Sequence, residues 1–252
     1  MEVRVERQGP HIAIVTIANE VRRNAMTRAM LADLAALWDR LDTDEDCRVV
    51  VLTGAGDKAF SSGADLTGDL SASPETAAIV SRALLKNTPF SKPIIAAVNG
   101  DCIAGGVELL LSTDIRAATP EARFGLPEVK WSIYPFGGAT VKLTQQIGYV
   151  QAMDLLLTGR LVDAAYAERI GLVNRVVARA ALMPWALETA ATIAANSPTA
   201  VQAVRTQINS AIADYAQSRE ALEQTLGDRV RSSRHFAEGV AAFREKRKPD
   251  YS

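Results

Sequence analysis

Two glutamates sit where carboxylates are costly. Glu108 lies in Gly105-Gly106-Val107-Glu108-Leu109-Leu110-Leu111, and Glu128 in Pro127-Glu128-Val129-Lys130-Trp131. Apolar neighbours strip water from a carboxylate and raise its pKa, which suits it to trade protons near neutral pH. Upstream, an apolar run from Pro93 to Val98 stops at Asn99-Gly100. A small-residue turn then leads through Ala104 into Gly105-Gly106 and the helical pattern carrying Glu108. A helix start leaves backbone N–H groups without partners. Such groups attract negative charge, and glycine lets a ligand approach them closely. Together these parts suggest proton transfer beside a developing oxyanion. Each part alone has a plainer explanation: glycines permit tight packing, and an acid in the first turn of a helix complements its dipole.

Other chemistries find less support. His11 falls in a predicted hairpin and His235 opens the last helix, with no Gly-x-Ser-x-Gly elbow, so a Ser-His-Asp hydrolase is not expected. No histidine and carboxylate spacing suits zinc. The glycines do not form GxGxxG, which argues against a dinucleotide site. Cys102 has no histidine to activate it and reads as packing. Trp38, Trp131 and Trp185 read as core or interface residues. The basic run Arg244, Lys246, Arg247 and Lys248 is either a solvated helix end or a phosphate site.

The chain has 252 residues, 48% of them hydrophobic, which is enough for a substantial core. With 28 basic and 29 acidic side chains the net charge is -1, which gives no reason to expect nucleic acid or an anionic membrane as partner. Cys47 and Cys102 form no framework or metal-ligand spacing and suit a reducing compartment. Residues 1–20 alternate like a strand rather than a signal peptide. No apolar run approaches the roughly 18 residues that span a bilayer. The expectation is a cytoplasmic globular protein.

These residues need elements to hold them. Val3, Val5, Ile12, Ile14 and Ile17 predict a hairpin around Gly9-Pro10. Thr27 is a predicted N-cap for a helix through Met30, Leu34, Trp38 and Leu41. Val49 to Leu52 predicts a buried strand, and Lys58 to Asp65 an irregular segment. Residues 66–74 predict a mobile loop that shapes substrate choice. A helix is predicted over Glu75 to Lys86, then the strand to Val98, the Glu108 helix, and a strand over Ile115 to Ala118. That alternation argues for an α/β layered fold. From about Gly137 the pattern is mostly helical. Asp163 is a predicted N-cap, Gly171 a C-terminal stop, and Val173 to Val177 a short strand. Helices are predicted over 179–195, 198–213, 218–229 and 233–245. Residues 1–195 read as an α/β core and 196–252 as a helical C-terminal region.

Several segments resemble the enoyl-CoA hydratase/isomerase, or crotonase, family. They are Arg23-Asn24-Ala25-Met26, Phe60-Ser61-Ser62-Gly63-Ala64-Asp65, Ala96 to Gly100 with Gly105 to Leu109, Phe124 to Val129, Pro135 to Gly138, Leu157-Thr158-Gly159, and Phe243 to Arg247. The resemblance covers nearly the whole chain. It implies the ClpP/crotonase spiral of ββα units, with C-terminal helices that join subunits into a homotrimer or homohexamer. It implies an acyl-CoA thioester as substrate and, CoA being part of that substrate, no separate cofactor or metal. The backbone N–H groups of Ser62 and Gly105 would hold the thioester oxygen as it becomes an enolate. Glu108 would orient and deprotonate water, and Glu128 would protonate the α-carbon. Arg22, Ala25, Ser62, Gly63, Ala64 and Asp65 would contact CoA, as would Phe243 and Lys246 from a neighbouring subunit.

Retention of both acids points to an enoyl-CoA hydratase. The alternatives are a double-bond isomerase using chiefly Glu128, a carnitinyl-CoA-type dehydratase, and a non-catalytic acyl-CoA-binding module. The last would be favoured by a buried, hydrogen-bonded Glu108 turned away from the Gly105 turn. The chain departs from the common hydratase pattern at Ala104, where a third glycine often sits, and at Asp101-Cys102. It also departs at Phe136, where a small residue is common; Tyr134 and Trp131 add bulk nearby.

Overall fold

The structure is a computed structural model that describes residues 1–65 and 73–252. The predicted hairpin is present: β1 (Glu2–Gln8) pairs antiparallel with β2 (Ile12–Ala18). Thr27 then caps α1 (Arg28–Thr43), its Oγ1 accepting from the Met30 N–H at 3.2 Å.

Next come three similar passages. Each begins with a strand in one sheet, continues with a short strand in a second sheet, and ends in a helix. They are β3 (Val49–Gly54), β4 (Ala59–Ser61) and α2 (Pro74–Ala83); β5 (Ile94–Val98), β6 (Asp101–Ile103) and α3 (Gly105–Leu110); and β7 (Ile115–Ala118), β8 (Arg123–Gly125) and, after a 3-10 turn over Pro127–Trp131, α4 (Ala139–Ile147). The chain continues through α5 (Tyr149–Thr158), β9 (Val162–Asp163), α6 (Ala164–Arg169), β10 (Arg175–Val176), α7 (Arg179–Ala194), α8 (Pro198–Arg231) and α9 (Arg234–Glu245). Among the described residues the first sheet runs β1-β2-β3-β5-β7-β10, parallel from β2 onward, and the second runs β4-β6-β8-β9. This is the ββα spiral of the crotonase fold.

Strand alternation explains the layering. In β3, Val50 and Leu52 face the main core with Trp38 and Phe60, while Val49 and Val51 face α7. The α7 helix meets the sheet through Ala186, Ala190 and Ala194, small residues on one face that allow close approach. No described helix is long and apolar enough to cross a membrane.

Three predictions are corrected. The segment predicted irregular contains β4, because Ala59, Phe60 and Ser61 are buried and Ala59 and Ser61 pair with β6. Strands β6 and β8 have three residues each, too short for period-two patterning to reveal. The helices predicted over 198–213 and 218–229 are one helix of 34 residues, since neither glycine nor proline interrupts residues 199–226. Within the loop predicted over 66–74, residues 66–72 lie outside the described residues, and Ser73 and Pro74 cap and open α2.

Two buried asparagines fix the β3–β4 connection. The Asn99 amide donates to Gly54 O, Gly56 O and Ala59 O at 2.8–3.2 Å and accepts from the Gly54 N–H at 3.1 Å. Asn24 donates to Ala55 O and Ala59 O at 2.9 and 2.7 Å. Breaking such a set leaves buried polar groups unpaired, at about 1–3 kcal/mol for each group. Asn99→Ala is therefore expected to lower unfolding stability by at least about 1–3 kcal/mol in urea titration. An unchanged midpoint would contradict this role.

Candidate active site

The β4–β6 pairing delivers two backbone segments to one place. Beyond β4, residues 62–65 lie against residues 23–26: Ser62 N–H donates to Arg23 O at 3.0 Å, Met26 N–H to Gly63 O at 2.8 Å, and Asp65 N–H to Met26 O at 2.9 Å. The Gly63 N–H donates to Ser61 Oγ at 3.2 Å. The Ala64 N–H has no acceptor among the described residues. Beyond β6, Gly105 opens α3, so its N–H has no intrahelical acceptor. The two segments touch: a Cβ on Gly105 would stand 3.5 Å from Ala64 N, and one on Gly63 only 2.9 Å from Gly105 N.

One sequence-based assignment changes here. Ser62 cannot serve as an oxyanion donor, because Arg23 O already holds its N–H. The amide left over beside Gly105 is that of Ala64. A positional resemblance could not separate the two, since which N–H is free depends on the pairing with residues 23–26.

Glu108 is 5% exposed in the first turn of α3. The Ala139 N–H donates to its Oε1 at 3.3 Å, and the Gly137 amide also favours its charged form. Glycine at 137 lets the backbone lie close to the carboxylate; a Cβ there would push the Glu108 carboxylate and the Leu84 side chain aside. Glu128 is 8% exposed in the 3-10 turn that Pro127 opens. Its Oε2 is buried with no hydrogen-bond partner among the described residues. That oxygen is free to accept a hydrogen bond.

Burial raises the pKa of both acids well above the ordinary glutamate value, and the Glu108 charge raises Glu128 further. A second buried pair stands close enough to act on Glu108. Lys86 is hydrogen-bonded to Glu223 of α8, whose charge raises the Glu108 pKa while that of Lys86 lowers it. Thr140 joins Glu223 at 3.5 Å, which ties α8 to the start of α4.

The proposed CoA contacts divide into two groups. Arg22, Ala25, Ser62, Gly63, Ala64 and Asp65 form one rim: Arg22 pairs with Asp65 at 2.8 Å, Ser62 Oγ donates to Arg22 O at 3.1 Å, and Ala25 is buried beneath. Phe243 and Lys246 are elsewhere. Phe243 packs edge-on against Trp131 of its own chain, ring centres 5.3 Å apart, and Lys246 ends α9 in a left-handed conformation. Cys102 is fully buried and burial pushes its thiol pKa up, in keeping with packing.

A cavity of about 650 Å³ opens beside the rim. Ala64, Asp65, Val80, Tyr134, Phe136 and Arg231 are among its lining residues. Neither glutamate is on its wall. The wall includes Ile133, Tyr134 and Phe136, from the segment that joins the Glu128 turn to Gly137 at the Glu108 carboxylate. Sequence reasoning named Gly137 only within the Pro135 to Gly138 segment, without its place beside Glu108, and passed over the Lys86–Glu223 pair, to which nothing local pointed.

The raised acid pKa values bear on stability. The folded chain keeps protons that the unfolded chain releases above about 4.5, so stability falls as pH rises from there through neutrality. Glu128→Gln removes one of these groups. The variant is expected to gain stability relative to wild type as pH rises from about 5 to about 8, measured by thermal unfolding. Parallel pH profiles would contradict this.

Comparison with known proteins agrees with the geometry. Residues 7–252 match the family model described as enoyl-CoA hydratase/isomerase. The chain is 42% identical to the enoyl-CoA hydratase EchA19 of Mycobacterium tuberculosis, over 98% of this chain and 95% of that protein. Its fold matches EchA1_1 of Mycobacterium paratuberculosis with TM-score 0.90 and 32% identity, covering 99% and 98% of the two chains. It matches a carnitinyl-CoA hydratase from Mycobacterium avium with TM-score 0.89 and 33% identity, again over 99% and 98%. The free amide pair, the two buried acids and these likenesses agree: the chain belongs to the enoyl-CoA hydratase/isomerase family.

Proposed function

We propose that the protein is an enoyl-CoA hydratase that adds water across the 2,3 double bond of an enoyl-CoA thioester. The observation that carries this reading is the placement of two buried, mutually interacting glutamates in segments adjoining a pair of free amides. The thioester oxygen accepts hydrogen bonds from the Ala64 and Gly105 N–H groups. Glu108, oriented by the 137–139 turn, takes a proton from water as the water oxygen bonds to the β-carbon. The π electrons move toward the thioester, and the enolate oxygen gains charge where the amides meet it. Glu128, protonated at the start, gives its proton to the α-carbon. The product is a 3-hydroxyacyl thioester. Backbone donors of this kind are each worth about 2.7–4 kcal/mol in the transition state.

The binding-module alternative expects a buried, hydrogen-bonded Glu108 turned away from the Gly105 turn; Glu108 is buried and accepts from the Ala139 N–H. Such a module gains nothing, however, from a second buried acid with an unpartnered oxygen whose pKa is raised by the first. That costly pair favours catalysis. An isomerase would use chiefly Glu128 and leave the orientation of Glu108 unexplained.

Residues 1–195 act as the catalytic core and 196–252 as the oligomerisation region of a homotrimer or homohexamer. Val204, Ile208, Tyr215, Leu222 and Leu226 support this: they form an exposed apolar stripe along α8 at helical spacing. In that assembly Phe243 and Lys246 reach a neighbour's CoA. The reaction needs no separate cofactor. The reduced thiols of Cys47 and Cys102 suit a cytoplasmic setting.

The test follows the loss of conjugated-thioester absorbance of crotonyl-CoA. Wild type is expected to hydrate it, and Glu108→Gln and Glu128→Gln each to lose about 10²–10⁴-fold in kcat. Full turnover by either variant would remove the mechanism.

A further inference from the structure

We propose that Phe136 is the end wall of the acyl chamber and restricts the enzyme to short, compact acyl groups. This rests on the hydratase reading above. Phe136 and Ala64 both line the same cavity. The next residue, Gly137, abuts the Glu108 carboxylate. In this proposal a thioester whose oxygen lies at Ala64 and Gly105 extends its acyl chain into the cavity that this ring lines.

The ring is fixed on three sides. Tyr134 lies beside it with ring centres 5.1 Å apart and planes 60° apart. The Arg231 guanidinium sits 5.1 Å from its centre, within the range of a cation–π contact. Its tip meets the backbone of α8 at Gly227, where a Cβ would overlap the ring. Glycine is disfavoured inside a helix, and Gly227 lies within the 34-residue α8. The fit of Phe136 supplies the reason for its presence. A ring held this way cannot swing aside for a longer chain without disturbing α8. It forms a rigid wall.

The residue touches neither glutamate through any hydrogen bond, so shortening it changes selection more than chemistry. One methylene in such a pocket discriminates by about 10–200-fold. The experiment measures kcat/KM for crotonyl-CoA and 2-octenoyl-CoA in wild type, Phe136→Leu and Phe136→Ala. The ratio of the longer to the shorter substrate is expected to rise at least about tenfold in Phe136→Ala and by less in Phe136→Leu. A ratio within about twofold of wild type in the folded variants would overturn the proposal; if Phe136→Ala does not fold, Phe136→Leu alone decides. Calorimetric binding of butyryl-CoA and octanoyl-CoA keeps this separate from the hydratase reading. If wild type hydrates neither substrate, the hydratase reading fails. The affinity ratio then decides the wall: a rise toward octanoyl-CoA in the variants supports it, and an unchanged ratio rejects it.

Discussion

Two pieces of backbone touch at the centre of the site, where neither has room for a larger side chain. Gly63 stands so close to Gly105 that a Cβ on it would lie 2.9 Å from the Gly105 nitrogen, and one on Gly106 would collide with the Ser61 carbonyl. That contact leaves the Ala64 and Gly105 amides side by side and unclaimed. Everything nearby serves it. The parallel pairing of β4 with β6 sets the approach, Asn99 and Asn24 tie down the β3–β4 connection, and residues 23–26 absorb the neighbouring amides. Ala104 bears a share of the strain. Its φ of 54° and ψ of -125° suit glycine better than alanine, and its methyl carbon would be 3.0 Å from a Cβ on Gly63.

The acids depend on the same geometry. A buried carboxylate held above its ordinary pKa lowers stability at neutral pH, so a fold retains one only when the surroundings determine its place. Gly137 and the Ala139 amide determine that of Glu108; the Pro127 turn determines that of Glu128. The buried Lys86–Glu223 pair anchors α8 to this region, so the C-terminal helices contribute to the electrostatics of the site as well as to its walls.

Much of this was legible in the sequence. Thr27 and Asp163 marked helix starts and Gly171 a helix end through local chemistry, and the strands Val49 to Leu52 and Pro93 to Val98 stood out as apolar runs. The apolar setting of Glu108 and Glu128 announced their desolvation. Less legible was anything set by contacts between distant segments. Three-residue strands carry too little pattern, and α8 lacked a breaker that would have divided it. The choice of Ala64 over Ser62 turns on one hydrogen bond to Arg23 O, made 39 residues earlier in the chain. Lys86 and Glu223 meet across 137 residues, and neither looks unusual where it stands.

The central claim is that the Ala64 and Gly105 amides hold a thioester oxygen. Isotope-edited infrared spectroscopy of bound butyryl-CoA labelled at the thioester carbonyl carbon tests it most directly, since this saturated ligand does not turn over. The account predicts a carbonyl stretch at lower frequency in the complex than in water, retained when Glu128 is replaced by Gln. A frequency equal to or above that of the free ligand would mean that the amide pair does not receive the thioester oxygen, and the account would fail.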